Sequence, residues 1–142
     1  MKILLAVDGS KSSLHAVNSL IAHADWYRDR PTIELVTVHL PVPPVPGLSK
    51  LVSKARFREY YRQEGEAQLA EAETMLENAG IDYEARILVG PVAEIIVAHA
   101  KAKRCDLIFI GSRGMGAAGN MLLGSTATKV LHLSSVPVLV AK

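Results

Sequence analysis

The sequence predicts a doubly wound α/β domain, in which a five-stranded parallel sheet in the order 3-2-1-4-5 carries helices on both faces. Three observations lead there. Short apolar or β-branched runs alternate with stretches of helical periodicity, the pattern of βα units feeding a parallel sheet. The first run, Ile3-Leu-Leu-Ala-Val7, is apolar throughout, as a strand covered on both faces must be. Five of the ten glycines crowd into residues 111–124, between the fourth run and a helical stretch, where backbone must come close to something else. With 142 residues, 49% of them hydrophobic, the chain has the apolar material for one domain spanning residues 1–142.

Each element has its own signal. Asp8-Gly9-Ser10 ends the first strand in a sharp turn, and Leu14, Val17, Leu20, Ile21 and Ala24 then fall on one helical stripe, with Ser10, Ser12 or Ser13 available as N-cap. Residues 33–40, rich in β-branched side chains after Pro31, form the second strand. Pro41, Pro43, Pro44 and Pro46 stop it and read as a stiff exposed spacer of polyproline character rather than a PxxP ligand. Residues 49–79 carry the longest helical pattern, closed by Gly80. Its bases, Lys50 to Arg62, precede its acids, Glu64 to Glu77, an order that opposes the helix dipole, and the basic part reads as a solvated face.

Residues 81–89, with polar Asp82, Glu84 and Arg86 alternating, read as an edge strand. Gly90-Pro91 opens a helix whose stripe is Val92, Ile95, Ile96 and His99. Residues 106–110 are the fourth strand, and the helix after the glycines runs to Leu133. The closing strand runs from Val136 to Val140, with Pro137 marking an edge position. An edge so apolar invites a second chain, so a homodimer joined through Val136 to Val140 is expected.

Composition narrows the function. A formal net charge of +2 gives no general attraction to nucleic acid or to a membrane surface. The N-terminal apolar run is too short for a signal peptide or a membrane span, and no later run reaches spanning length, so a cytoplasmic protein is the expectation. The single cysteine, Cys105, excludes an internal disulfide framework and reads as an apolar residue at a strand edge. In a 3-2-1-4-5 sheet the strand order reverses between the first and fourth strands, so Asp8 and the glycine stretch face one crevice on the ligand-binding rim.

Three phosphate-binding patterns overlap in that stretch. Gly114-Met-Gly-Ala-Ala-Gly119 matches GxGxxG, but it lies outside the first βα unit and no acid follows Asp106 to hold a ribose hydroxyl. Gly119-Asn-Met-Leu-Leu-Gly-Ser-Thr126 approaches a Walker A loop with Ser125 where the lysine belongs. The longer spacing Gly111-x2-Gly114-x9-Gly124-Ser125 contains both, demotes Gly116 and Gly119 to loop flexibility, and ends at a helix start where the amides of Ser125 and Thr126 can meet an anion. Beyond Asp106 the chain is free of acids and carries Arg113, Lys129 and Lys142.

With this spacing the chain resembles the nucleotide-binding branch of the universal stress protein family, whose signature is G-x2-G-x9-G followed by Ser or Thr. Ile3-Leu-Leu-Ala-Val-Asp-Gly-Ser10, Gly90-Pro91, Cys105-Asp-Leu-Ile-Phe-Ile-Gly-Ser-Arg-Gly114 and Val136-Pro-Val-Leu-Val140 extend the likeness over nearly the whole chain apart from Pro41 to Arg62. The resemblance implies an adenine nucleotide, ATP, ADP or AMP, with Mg2+ held by its phosphates. It implies that Asp8 and Val38 line the adenine and ribose end with Ala6, Val7 and Ile110 close by, while Gly111, Arg113, Gly114, Gly124, Ser125 and Thr126 take the phosphates.

No residue is assigned a catalytic or metal-ligating role. His15, His23, His39, His99 and His132 show no ligand spacing, and only His39, ending the second strand, falls near the expected crevice. No GxSxG, HExxH or paired-carboxylate arrangement is present. The expectation is a regulatory nucleotide-binding protein, whose occupancy orders the loop from Gly114 to Leu123 and alters a dimer or partner surface. A slow ATPase and a nucleotide-free dimeric interaction module stay open as alternatives, as does the identity of any protein partner.

Overall fold

The strand Lys2–Ala6 (β1) lies at the centre of the sheet, and its composition explains why: Ile3, Leu4 and Leu5 have no exposed surface. In a computed structural model that describes residues 1–43, 53–114 and 123–142, β1 pairs in parallel with Thr32–His39 (β2) and with Leu107–Gly111 (β4). Tyr83–Val89 (β3) adds to β2, and Val138–Ala141 (β5) adds to β4, both in parallel. The order is β3-β2-β1-β4-β5, the one expected.

Among the described residues four helices cover the faces: Lys11–Ala22 (α1), Lys54–Asn78 (α2), Val92–Ala102 (α3) and Ser125–Leu133 (α4). Apolar residues alternate between the two sides of each inner strand, so two cores form. Ile3, Leu5, Ile33, Leu35 and Phe109 pack with α1 and α2, while Leu4, Val36, Ile108 and Ile110 pack with α3 and α4.

The local signals sit close to their expected places. Ser10 caps α1, its hydroxyl accepting from the Ser13 amide at 3.2 Å. Ser53 caps α2 in the same way; positions 49–52 of the expected helix, with Lys50, fall outside the described residues, as do Pro44 and Pro46. Gly80 leaves α2 at φ +62°, a conformation that favours glycine. In the basic part of α2, Arg62 is held by Glu59 and Glu66, and its guanidinium lowers the Glu59 carboxyl to about 2.

The strand bounds of β1, β2 and β4 shift by one residue, and larger differences lie elsewhere. The third strand begins at Tyr83 rather than Ile81, because Ile81 still belongs to the exit of α2, its amide donating to the Leu76 carbonyl at 3.0 Å. The last strand begins at Val138, since Ser134 bonds both the amide and the carbonyl of Val136 in a turn. A short 3-10 turn, Ala24–Trp26, follows α1 and leaves Trp26 exposed beside the His23 ring.

One buried acid interrupts the apolar core. Glu34 of β2 is fully buried, with His99 Nε2 2.8 Å from Oε1 and Lys2 Nζ 3.0 Å from Oε2. Arg86 and Lys103 stand farther off, at 3.7 and 3.9 Å from Oε1. Burial pushes the Glu34 carboxyl up, but the hydrogen bonds from His99 and Lys2 and the charges of Lys2 and Lys103 outweigh it and hold the group below the usual carboxylate range. The cluster sits toward the N-terminal ends of the strands and ties β1, β2, β3 and the last turn of α3 together.

Candidate functional site

β1 and β4 are neighbours whose following helices pack on opposite faces of the sheet, and their C-terminal ends therefore part to leave a crevice. It encloses about 340 Å³, within the range of small-molecule sites. All eleven residues singled out in the sequence line it: Ala6, Val7 and Asp8 at the exit of β1, Val38 of β2, Ile110 and Gly111 of β4, Arg113 and Gly114 beyond it, and Gly124, Ser125 and Thr126 at the start of α4. Gly116 and Gly119, with the loop expected to become ordered by nucleotide, lie outside the described residues.

Two chemically distinct halves face each other. Ala6, Val36, Val38, Ile110, Val92 and Ile96 make an apolar slot that suits a flat, weakly polar ring. The rest of the lining is mostly backbone, because glycine stands where a Cβ would have no room. A Cβ on Gly111 would lie 2.6 Å from the Ser12 carbonyl oxygen, and one on Gly114 would lie 2.9 Å from Asp8 Oδ2. The first-turn amides of α4 have no carbonyl within their own helix to bond. Gly124 precedes them as the N-cap and offers no side chain to cap them, and no acid lies in that turn. The amides of Ser125 and Thr126 are thus directed at the crevice with the positive end of the helix behind them.

Among the described lining residues Asp8 is the only acid and Arg113 the only base. The Asp8 carboxylate accepts from the Ser10 amide at 3.0 Å, and its own amide donates to Ser13 Oγ at 3.3 Å. Ser13 in turn donates to the Ser10 carbonyl at 2.9 Å, so the turn after β1 is braced from the first turn of α1. Gly124 donates to the Ser112 carbonyl at 2.7 Å, closing the base of the glycine loop.

His39 is not among the lining residues. Alternation along β2 sends Val38 to the crevice side and His39 to the other, where its ring lies 5.9 Å from that of Tyr61 and burial pushes its pKa down. Cys105 is buried, and burial pushes its thiol up, which suits an inert apolar role. His99 belongs to the Glu34 cluster rather than to the crevice.

Five lining residues were not anticipated: Ser13, Val36, Val92, Ile96 and Ala127. A signal for two of them existed. The chain crosses from edge strand β3 to β4 through α3, so α3 must pass over the middle of the sheet with its N-terminus at the crevice rim, bringing Val92 and Ile96 to the slot.

Among the described residues no group of His, Cys, Asp and Glu side chains could hold a metal ion, and no helix is long and apolar enough to cross a membrane.

Comparison with known proteins agrees on one family. The universal stress protein family model matches residues 1–142. Universal stress protein MJ0531 of Methanocaldococcus jannaschii is 33% identical over 141 residues, covering 99% of this chain and 81% of its own length. Universal stress protein YxiE of Bacillus subtilis is 31% identical, covering 99% of this chain and 98% of its own. Among solved structures, that of MJ0577, described as a structure-based assignment of biochemical function, superposes with a TM-score of 0.79 at 26% identity, covering 99% of this chain and 94% of that one. A universal stress protein in complex with cAMP superposes with a TM-score of 0.72 at 25% identity, covering 100% of this chain and 97% of that one.

Proposed function

The chain belongs to the universal stress protein family, and from that premise we propose that it is a cytoplasmic regulatory protein that binds an adenine nucleotide in the crevice between β1 and β4. The observation that carries this reading is the juxtaposition of an apolar slot with the uncapped N-terminus of α4. The base lies in the slot between Val38 and Ile110, with Ala6 and Val7 beneath it and Asp8 at the ribose. The phosphates lie along Gly111, Arg113 and Gly114 and against the amides of Ser125 and Thr126. A relative with cAMP bound supports the ligand class.

The donor set among the described residues fits the phosphate chain of ATP, ADP or AMP: amides, hydroxyls and one guanidinium. Mg2+ would be held by the phosphates, and it would neutralise their charge beside Asp8, the one carboxylate among the described lining residues. These donors hold charge without attacking it, so the crevice is built for occupancy rather than turnover.

Isothermal titration calorimetry with ATP, ADP and AMP in Mg2+ tests this, together with release of adenine nucleotide when the purified protein is denatured. Saturable binding of at least one of the three is expected; no heat at millimolar nucleotide and no released adenine would overturn the reading.

The crevice also has a route to a second chain. β5 is an edge strand with Leu139 exposed, and Leu131 and Leu133 are exposed on the neighbouring helix. Its last residue is bonded to the crevice loop, the Ser112 amide donating to the Ala141 carbonyl at 2.8 Å. The homodimer therefore forms through Val136 to Val140, which puts the partner copy one strand from the nucleotide. Light scattering at micromolar concentration should give the mass of two chains, and a monomer mass would count against it.

A further inference from the structure

Ser12 does not line the crevice, yet its side chain ties the exit of β4 to the first turn of α1. Its hydroxyl oxygen accepts from the Arg113 amide at 3.0 Å, across 101 residues of chain. Just before that bond, Gly111 presses against the Ser12 backbone, so closely that a Cβ would lie 2.6 Å from its carbonyl oxygen. Just after it, Gly124 packs on Arg113, where a Cβ would stand 3.3 Å from the Arg113 Cα. The Arg113 backbone is therefore clamped between the first turn of α1 and the residue that starts α4. The neighbouring amide of Ser112 is spent on β5, and among the described residues the Ser12 hydroxyl is the side-chain acceptor for the Arg113 amide.

We propose that Ser12 is a positioning residue for the phosphate end of the bound nucleotide: it sets Arg113, and through Arg113 the distance to the α4 amides, at the spacing a phosphate chain requires. This rests on the nucleotide reading above and adds to it the device that keeps the two phosphate-binding walls in register. The bond lies at an exposed part of the molecule, so its loss lets the Arg113 amide turn to water at little cost to the fold. What is lost is preorganisation of one wall against the other. The effect must therefore grow with the number of phosphates and vanish for adenosine, which occupies only the apolar half.

The experiment compares the wild type, Ser12→Ala and Ser12→Thr by calorimetry with adenosine, AMP and ATP, alongside their melting temperatures. In Ser12→Ala, ATP affinity should fall about fivefold to tenfold, AMP affinity less, and adenosine affinity not at all, with the melting temperature close to wild type. Ser12→Thr keeps the acceptor oxygen and should restore ATP binding. Equal losses for adenosine and ATP would show a merely structural role and overturn the proposal, and so would unchanged ATP affinity or a failure of threonine to rescue. Wild-type protein that takes none of the three ligands would instead overturn the nucleotide reading, and this proposal with it.

Discussion

Gly111→Ala is expected to lower the melting temperature by about 6–9 °C and to weaken nucleotide binding at least about tenfold. The added methyl would lie 2.6 Å from the carbonyl oxygen of Ser12 and 2.8 Å from its carbonyl carbon, closer than carbon approaches either. Both are backbone atoms in the first turn of α1, where Ser10 caps the helix and Ser13 braces the turn, so no side chain can swing aside. Relief requires α1 and β4 to move apart, and overpacking of this kind costs about 2–3 kcal/mol. At about 3 °C per kcal/mol for a chain of this size, that gives the expected shift. The same movement would pull the Arg113 amide from Ser12 and widen the crevice, which is why binding falls along with stability. Thermal unfolding followed by circular dichroism, paired with calorimetry, reads both quantities. A variant that melts and binds like wild type would show that β4 and α1 separate freely, contrary to the packing described.

Gly111 also shows what could be read before the fold was known. Its spacing to Gly114 and Gly124, with an apolar strand before and a Ser-Thr helix start after, pointed to a backbone cradle, because glycine in such numbers has few other uses. Composition separates centre from edge in the same way: a run without polar residues belongs at the centre, and one with Glu84 and Arg86 at an edge. What stayed hidden depends on pairs of distant residues. Ser12 read only as a candidate helix cap, because nothing near it in sequence announces Arg113, 101 positions away. Val92 and Ile96 read as a helix stripe facing a core, since periodicity shows which side of a helix is apolar but not which part of that side meets an opening. His39 ends the strand that leads to the crevice, but strand alternation sends its side chain to the other face.

Glu34 is the extreme case, since its partners come from β1, β3 and the C-terminal end of α3, and no local pattern links them. Glu34→Ala is expected to destabilise the fold by about 2–4 kcal/mol near neutral pH. The carboxylate is fully buried and its removal leaves Lys2, Arg86, His99 and Lys103 facing an empty apolar space. The loss falls short of that for a deeply buried pair broken on one side, because Lys2, Arg86 and Lys103 retain 32%, 44% and 36% exposure and turn toward water. The pH dependence has a definite sign. The folded Glu34 carboxyl lies below its ordinary value of 4.5, so its contribution is complete above that value and drains away as pH falls through the lower folded value. Urea unfolding of wild type and variant, stepped from about pH 7 down to about pH 3, should therefore show two curves separated by a constant gap that closes only on the acid side. A gap that stayed constant into the acid range would mean that Glu34 is no more readily ionised in the fold than in the open chain. Lys2, Arg86, Lys103 and His99 would then pack around it without stabilising its charge.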